Sequence, residues 1–137
     1  MVKNIVKDPI FLAQKADPAT EADKAVIKDL VDTMRAHAKD CVGMAANMIG
    51  VKKSIIAANV GMGQIVMVNP VITSKARPFI TTEGCLSLST EPKETRRYFE
   101  IEVEYLDADF KPQKQKFTGW SAQIIQHEID HCHGILI

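Results

Sequence analysis

Gly119-Trp120-Ser121-Ala122-Gln123-Ile124-Ile125-Gln126-His127-Glu128-Ile129-Asp130-His131-Cys132-His133-Gly134 is the stretch on which the fold turns. It predicts a helix that starts near Gly119 and stops at Gly134, since glycine readily takes the left-handed conformation that closes a helix. Trp120, Ile124 and Ile125 supply an apolar side, which places this helix in the core with strands around it. Inside it, residues 127–131 form an HExxH motif. At about 3.6 residues per turn, His127 and His131 lie roughly 40° apart and one turn from each other, so both imidazoles can reach one ion. Glu128 is displaced to the side, where it addresses a water at the ion without ligating the metal. Cys132 and His133 are turned away and are not expected as ligands. Read alone, the motif fits a polar pair of surface histidines as well as it fits a metal site.

Composition bounds the rest. A chain of 137 residues, 46% apolar and 25% charged, suits a single soluble domain spanning 1–137 with one core. Seventeen basic and seventeen acidic side chains cancel, so no overall field draws the protein to nucleic acid or to an anionic membrane. The N-terminus lacks a signal-peptide run and no stretch approaches the roughly 20 apolar residues of a membrane span, which makes cytoplasmic the expected location. Three cysteines without an export signal point to metal binding or burial rather than to a disulfide framework.

Along the chain, residues 1–18, with Pro9 and Pro18, read as an extended arm. Thr20 and Asp23 form a helix-start pattern, and Ile27, Leu30, Val31, Met34 and Ala38 recur at helical spacing, predicting a helix over 20–38 that ends near His37. The run from Asp40 to Gly50 is small and glycine-bracketed; it fits a tight packed loop and the border of a site equally well. Ile55–Val60 and Ile65–Asn69 read as a hairpin through Gly61-Met62-Gly63, with a further extended piece over 71–73. Phe99, Ile101, Val103 and Tyr105 alternate with Glu100, Glu102 and Glu104, a strand with one buried face and one solvated carboxylate face. A turn over 107–112 leads to a polar edge strand over 113–117, and Ile135-Leu136-Ile137 is expected as a short terminal strand. The expected fold is α+β, with largely antiparallel β-sheets packed around a central C-terminal HExxH helix and the N-terminal helix outside.

A catalytic metal site wants three protein ligands and one open position. Thr82-Glu83-Gly84-Cys85-Leu86-Ser87, between predicted strands, offers a cysteine beside a turn-permitting glycine. EGCLS at 83–87 followed by QHEIDH at 126–131, with GMAA at 43–46 ahead of both, resembles the three motifs of the peptide deformylases, in order and spacing and over essentially the whole chain. This resemblance implies a divalent metal on Cys85, His127 and His131: Fe2+ is expected, and Zn2+ or Ni2+ fit the same ligands. It implies a metallo-amidohydrolase that removes the N-terminal formyl group from formyl-methionyl polypeptides and releases formate. Glu128 serves as base and then as proton donor to the leaving amine, and the Leu86 backbone N–H donates to the oxyanion. It further implies that Val42, Trp120 and Ile124 line a pocket for the methionine side chain, with Glu83 also at the substrate side, and that Val42 and Gly43 pair with the peptide backbone. The partners implied are nascent polypeptide N-termini at the ribosome, with no direct nucleic-acid binding and no membrane.

The first motif departs from the family's GφGφAAxQ, reading Cys41 for its first glycine and Met48 for its glutamine. That glutamine's amide completes the oxyanion hole in the resembled family, and a thioether donates no hydrogen bond. Losing one such donor costs on the order of 10²- to 10³-fold in kcat, so reduced or specialised activity is expected. Asn47 carries an amide one residue earlier and is the candidate replacement. The alternative is a deformylase-like metal-binding protein without the activity that binds peptide N-termini. A zinc endopeptidase fits HExxH but not EGCLS.

Overall fold

A computed structural model of the chain describes residues 1–39, 41–61, 63–85 and 88–136, with only the backbone described at 85 and 88–91. Five strands, β1 (Gly43–Ala45), β2 (Ile55–Asn59), β3 (Gln64–Cys85), β4 (Leu88–Leu106) and β5 (Pro112–Thr118), pair antiparallel in sequence order in one sheet. Among the described residues, three α-helices accompany them: α1 (Pro9–Leu12), α2 (Lys24–Ala36) and α3 (Gly119–Cys132). The α+β class, the antiparallel pairing, the outer N-terminal helix and the core helix near the C-terminus all agree with the sequence.

The β2–β3 hairpin places Asn59 opposite Gln64. Gly61 and Gly63 take φ of 91° and 130° there, a region closed to most side chains; Met62 lies outside the described residues. On β4, Ile101, Val103 and Tyr105 are buried as the alternation requires, but Phe99, expected on the same face, is 37% exposed. Their glutamate neighbours face β5, where Lys114 sits 3.5 Å from Glu102 and 3.9 Å from Glu104. The strand residues 113–117 lie within β5.

Four expectations are corrected. The arm over 1–18 contains a one-turn helix, because the Asp8 carboxylate accepts from Ile10 N at 3.0 Å and Pro9 starts the turn with no N–H to leave unpaired. The run after Cys41 is ordered into β1 and a 3-10 turn at Ala46–Ile49, closed by Gly50 at φ 86°. β3 and β4 extend well beyond the pieces read from sequence, to a pairing of Cys85 with Leu88, with register shifts between Val68 and Val71, between Ile72 and Ser74 and between Glu83 and Cys85. Pro70, which has no N–H for a ladder, and Asn69 at φ 51° account for the first shift. No terminal strand forms at 135–136: Ile135 N instead donates to Asp130 O at 3.0 Å and finishes α3, while Ile137 lies outside the described residues.

The N-terminal part of the 20–38 prediction resolves into a 3-10 turn, Glu21–Asp23, followed by α2. Asp23 accepts from Thr20 N at 2.9 Å, His37 is the C-cap, and Ile27, Leu30 and Met34 are buried. α3 is wrapped on several sides, with Ala122, Ile125, Ile129 and Cys132 buried together with His127, Glu128 and His131. Gln126 fixes its distance from β4: its amide donates to Tyr98 O at 2.8 Å and accepts from Tyr98 N at 2.9 Å, so one side chain pairs as a strand would.

Candidate active site

β1 reaches the motif helix because position 43 has no side chain. A Cβ on Gly43 would stand 2.8 Å from Ile124 Cγ2 and 2.9 Å from Glu128 Oε2, closer than real carbon contacts allow. Glycine there lets the edge strand lie directly against the face of α3 that carries Ile124 and Glu128.

On that face the two imidazoles converge. His127 Nε2 and His131 Nε2 are 3.0 Å apart, with the rings edge to face at 74°. Two nitrogens at about 2.0–2.1 Å from one tetrahedral ion would sit roughly 3.3 Å apart, so the pair is spaced for a shared ion. Burial drives the His131 pKa down to about 3, which keeps the ring neutral and its lone pair available. These donors fit a divalent metal. Among the described residues no third His, Cys, Asp or Glu joins them. The expected set needs Cys85, whose backbone ends β3 and whose side chain lies outside the described residues, as does all of Leu86.

His127 is held from behind. Its Nδ1 lies 2.7 Å from Glu83 Oε1. Arg97 donates to the same carboxylate, through Nε at 3.1 and 3.0 Å and Nη2 at 2.7 Å, and through Nη1 to Asp130. Gln123 Nε2 adds a bond to Glu83 Oε2 at 2.9 Å. Burial opposes ionisation of Glu83, but the His127 and Arg97 hydrogen bonds outweigh it and bring the pKa to about 2. Both Glu83 oxygens are taken by protein donors, so its carboxylate supports His127, while the residue also lines the cleft. An ionised Glu83 keeps the His127 proton on Nδ1 and turns the Nε2 lone pair toward His131.

Glu128 is 5% exposed, and burial raises its pKa to about 7. It lines an open cleft of about 330 Å³ with His127, Gly43 and Met48. Ile124, 4% exposed, forms a wall, while Trp120 and Val42, 61% and 41% exposed, stand at the rim. The cleft thus gathers the expected pocket residues beside Glu128.

The first motif behaves unexpectedly. Met48 is buried, and its sulfur accepts from Ala45 N at 3.4 Å inside its own turn. Asn47 does not line the cleft. Its Nδ2 donates to the His131 carbonyl at 3.0 Å, so its amide lies behind the helix and does not replace the missing glutamine. Cys132 is buried, with its thiol pKa pushed up to about 12 by desolvation, and His133 is exposed; neither joins the site. Arg97, Gln123 and Asp130 were missed by the sequence reading. Only Asp130 carried a hint, one position before the second histidine; a buried arginine on an unread strand carried none.

The sequence matches the polypeptide deformylase family over residues 2–137. It is 56% identical over 137 residues, with both chains fully covered, to a peptide deformylase of Clostridium beijerinckii. The fold is similar to the crystal structure of a peptide deformylase from Thermotoga maritima, with a TM-score of 0.89, 30% identity, and 99% of this chain and 95% of that chain covered. It is also similar to the Met-Ala-Ser-bound class I type b peptide deformylase from Acinetobacter baumannii, with a TM-score of 0.87, 28% identity and coverage of 99% and 97%.

Proposed function

The chain belongs to the polypeptide deformylase family, a family of metal-dependent hydrolases, and from that premise we propose that Cys85, His127 and His131 hold one divalent ion with Glu128 as the base. The activity is removal of the N-terminal formyl group from polypeptides. The observation that carries the site assignment is the convergence of two imidazole Nε2 atoms at 3.0 Å beside a buried carboxylate in an open cleft. When bound, the ion supplies Lewis acidity, lowering the pKa of a water and polarising the formyl carbonyl. Iron(II) is our first choice, with zinc or nickel on the same ligands.

Glu128 does the proton work. Above its pKa it accepts a proton from the attacking water as the O–C bond forms, and it then delivers that proton to the nitrogen as the C–N bond breaks. Formate and a free α-amine leave. The near-neutral pKa suits both directions of transfer. Glu83 and Arg97 hold His127 in one tautomer throughout. Trp120, Ile124 and Val42 receive the methionine side chain, and the outer edge of β1, the first strand of the sheet, pairs with the peptide backbone. Leu86 N donates to the oxyanion. Met48 supplies no second donor, so turnover is set below that of a site carrying an amide there. The tripeptide in the Acinetobacter baumannii protein fits this substrate class. Among the described residues no helix is long and apolar enough to cross a membrane, and the substrates proposed are nascent N-termini met at the ribosome in the cytoplasm.

Glu128→Ala tests the assignment. Formate release from formyl-Met-Ala-Ser should fall by roughly 10²- to 10⁴-fold with metal content unchanged; undiminished release would remove Glu128 from the chemistry. No observation favours a protein that binds N-termini without cutting them.

A further inference from the structure

The backbone of β1 has two edges, and its register with β2 tells them apart. Asn59 N donates to the Val42 carbonyl at 2.8 Å, and Gly43 stands opposite Ala58. In an antiparallel pair, successive residues turn their N–H and C=O groups alternately toward the partner strand and away from it. Gly43 and Ala45 therefore present theirs to the outer edge, where Cys41, Gly43 and Met48 line the cleft. Two sulfurs hold groups on that edge. The Cys41 thiol donates to the Gly43 carbonyl at 2.8 Å, and the Met48 thioether accepts from Ala45 N at 3.4 Å. They belong to the two positions at which the first motif departs from the one it resembles. The same cleft is lined by Glu128, 5% exposed, whose Oε1 has no hydrogen-bond partner among the described residues. A ligand seated in the cleft meets that oxygen and the Gly43 carbonyl together.

Resting on the peptide-docking reading above, we propose that Cys41 is a substrate-positioning residue: its thiol caps the Gly43 carbonyl in the free protein and is displaced when a peptide N–H pairs with that carbonyl. Cys41 lines the cleft, so its thiol meets the carbonyl from the side on which a peptide enters. A thiol is a weak donor. The cap therefore yields to an amide, and it lowers affinity by the worth of one modest bond without blocking the site. Glycine, which the resembled motif has at this position, carries no side chain to supply such a cap. Met48 acts on the next outward residue. Its sulfur holds the Ala45 N–H, so the backbone pairing open to a peptide is centred on Gly43.

The test uses Met-Ala-Ser as probe on the metal-loaded full chain, with calorimetry for affinity and infrared spectroscopy for the thiol. The Cys41 S–H stretch, isolated by subtracting the Cys41→Ser spectrum, should lie at the lowered frequency of a thiol bonded to a carbonyl and should shift on saturation with the tripeptide. Cys41→Ala should bind Met-Ala-Ser about threefold to tenfold more tightly, the worth of one net hydrogen bond. Cys41→Ser, whose hydroxyl keeps a donor in place, should bind no more tightly than wild type, and with the infrared shift it decides the matter if the alanine variant fails to fold. Unchanged affinity in Cys41→Ala, tighter binding in Cys41→Ser, or an S–H band that does not respond to the tripeptide overturns the inference and leaves the peptide site standing. A wild type that neither binds Met-Ala-Ser nor releases formate from formyl-Met-Ala-Ser defeats the functional reading, and the inference with it.

Discussion

His127 and His131 sit one turn apart on the same helix and look equivalent in the motif, but the protein holds them by opposite means. Behind His127 is a charged chain, Glu83 to Arg97 to Asp130, with every oxygen of Glu83 in use. Behind His131 is an uncharged amide, and the nearest charges act on the ring only at a distance. The difference teaches that a spacing motif specifies where ligands stand and says little about how they are oriented. Orientation is tertiary: it comes from β3, β4 and the turn after β1.

The largest blow to this asymmetry is Arg97→Leu, which strands Glu83 in a buried pocket. Breaking a buried pair on one side typically costs about 3–5 kcal/mol, so urea unfolding should move by that amount. The metal should be lost with it, whereas Asn47→Ala should spare most of the stability. Equal costs for the two variants would erase the distinction between a charged and a neutral support.

Protonation sharpens the comparison at the group between the histidines. In chelator-treated protein, Glu128 has its folded pKa raised from 4.5 to about 7 by burial. Its contribution to stability is therefore present below pH 4.5 and lost as pH rises through 7, worth about 3 kcal/mol by linkage. Glu83 has the reverse sign: its folded pKa is lowered to about 2, so its contribution is present above 4.5 and lost as pH falls toward 2. Glu128→Gln should accordingly stabilise the metal-free protein by up to about 3 kcal/mol at pH 8 and hardly at all at pH 4. Denaturation at the two pH values decides it; an equal gain at both would mean that Glu128 is not the group responsible.

The smallest expected change is Met48→Gln, which returns an amide to the front of the site while Asn47 keeps its own at the back. A rise of about tenfold in kcat on a formyl-methionyl peptide is expected, below the 10²- to 10³-fold that a native oxyanion donor is worth. A flat response with metal retained would mean that the oxyanion is served without position 48.

Much of this was legible in the sequence, for identifiable reasons. α3 announced itself through the histidine spacing and Gly134, and β4 through the alternation of Ile101, Val103 and Tyr105 with glutamates, because each buries one face and leaves a period behind. The outer lengths of β3 and β4 bury little: Lys75, Arg77, Ile80 and Arg96 are exposed, so no hydrophobic period marks them as strands. α1 is too short to show any period, held by one cap at Asp8. Within the site, the convergence of His127 and His131 with Glu128 close by was readable from the motif. The partners of Glu83 were not readable, because Arg97 and His127 lie 14 and 44 positions away and meet it only once the sheet has folded onto the helix.

The short first strand has a bearing on solubility. An unpaired strand edge is a template on which a second molecule can add, yet a peptide enzyme of the kind proposed requires one. β1 has three residues, and the chain leaves it at once for a tightly wound turn. Such an edge gives a visiting peptide a few backbone bonds, while a copy of the same chain finds too little ladder to seed a stack. Brevity here separates transient docking from self-assembly.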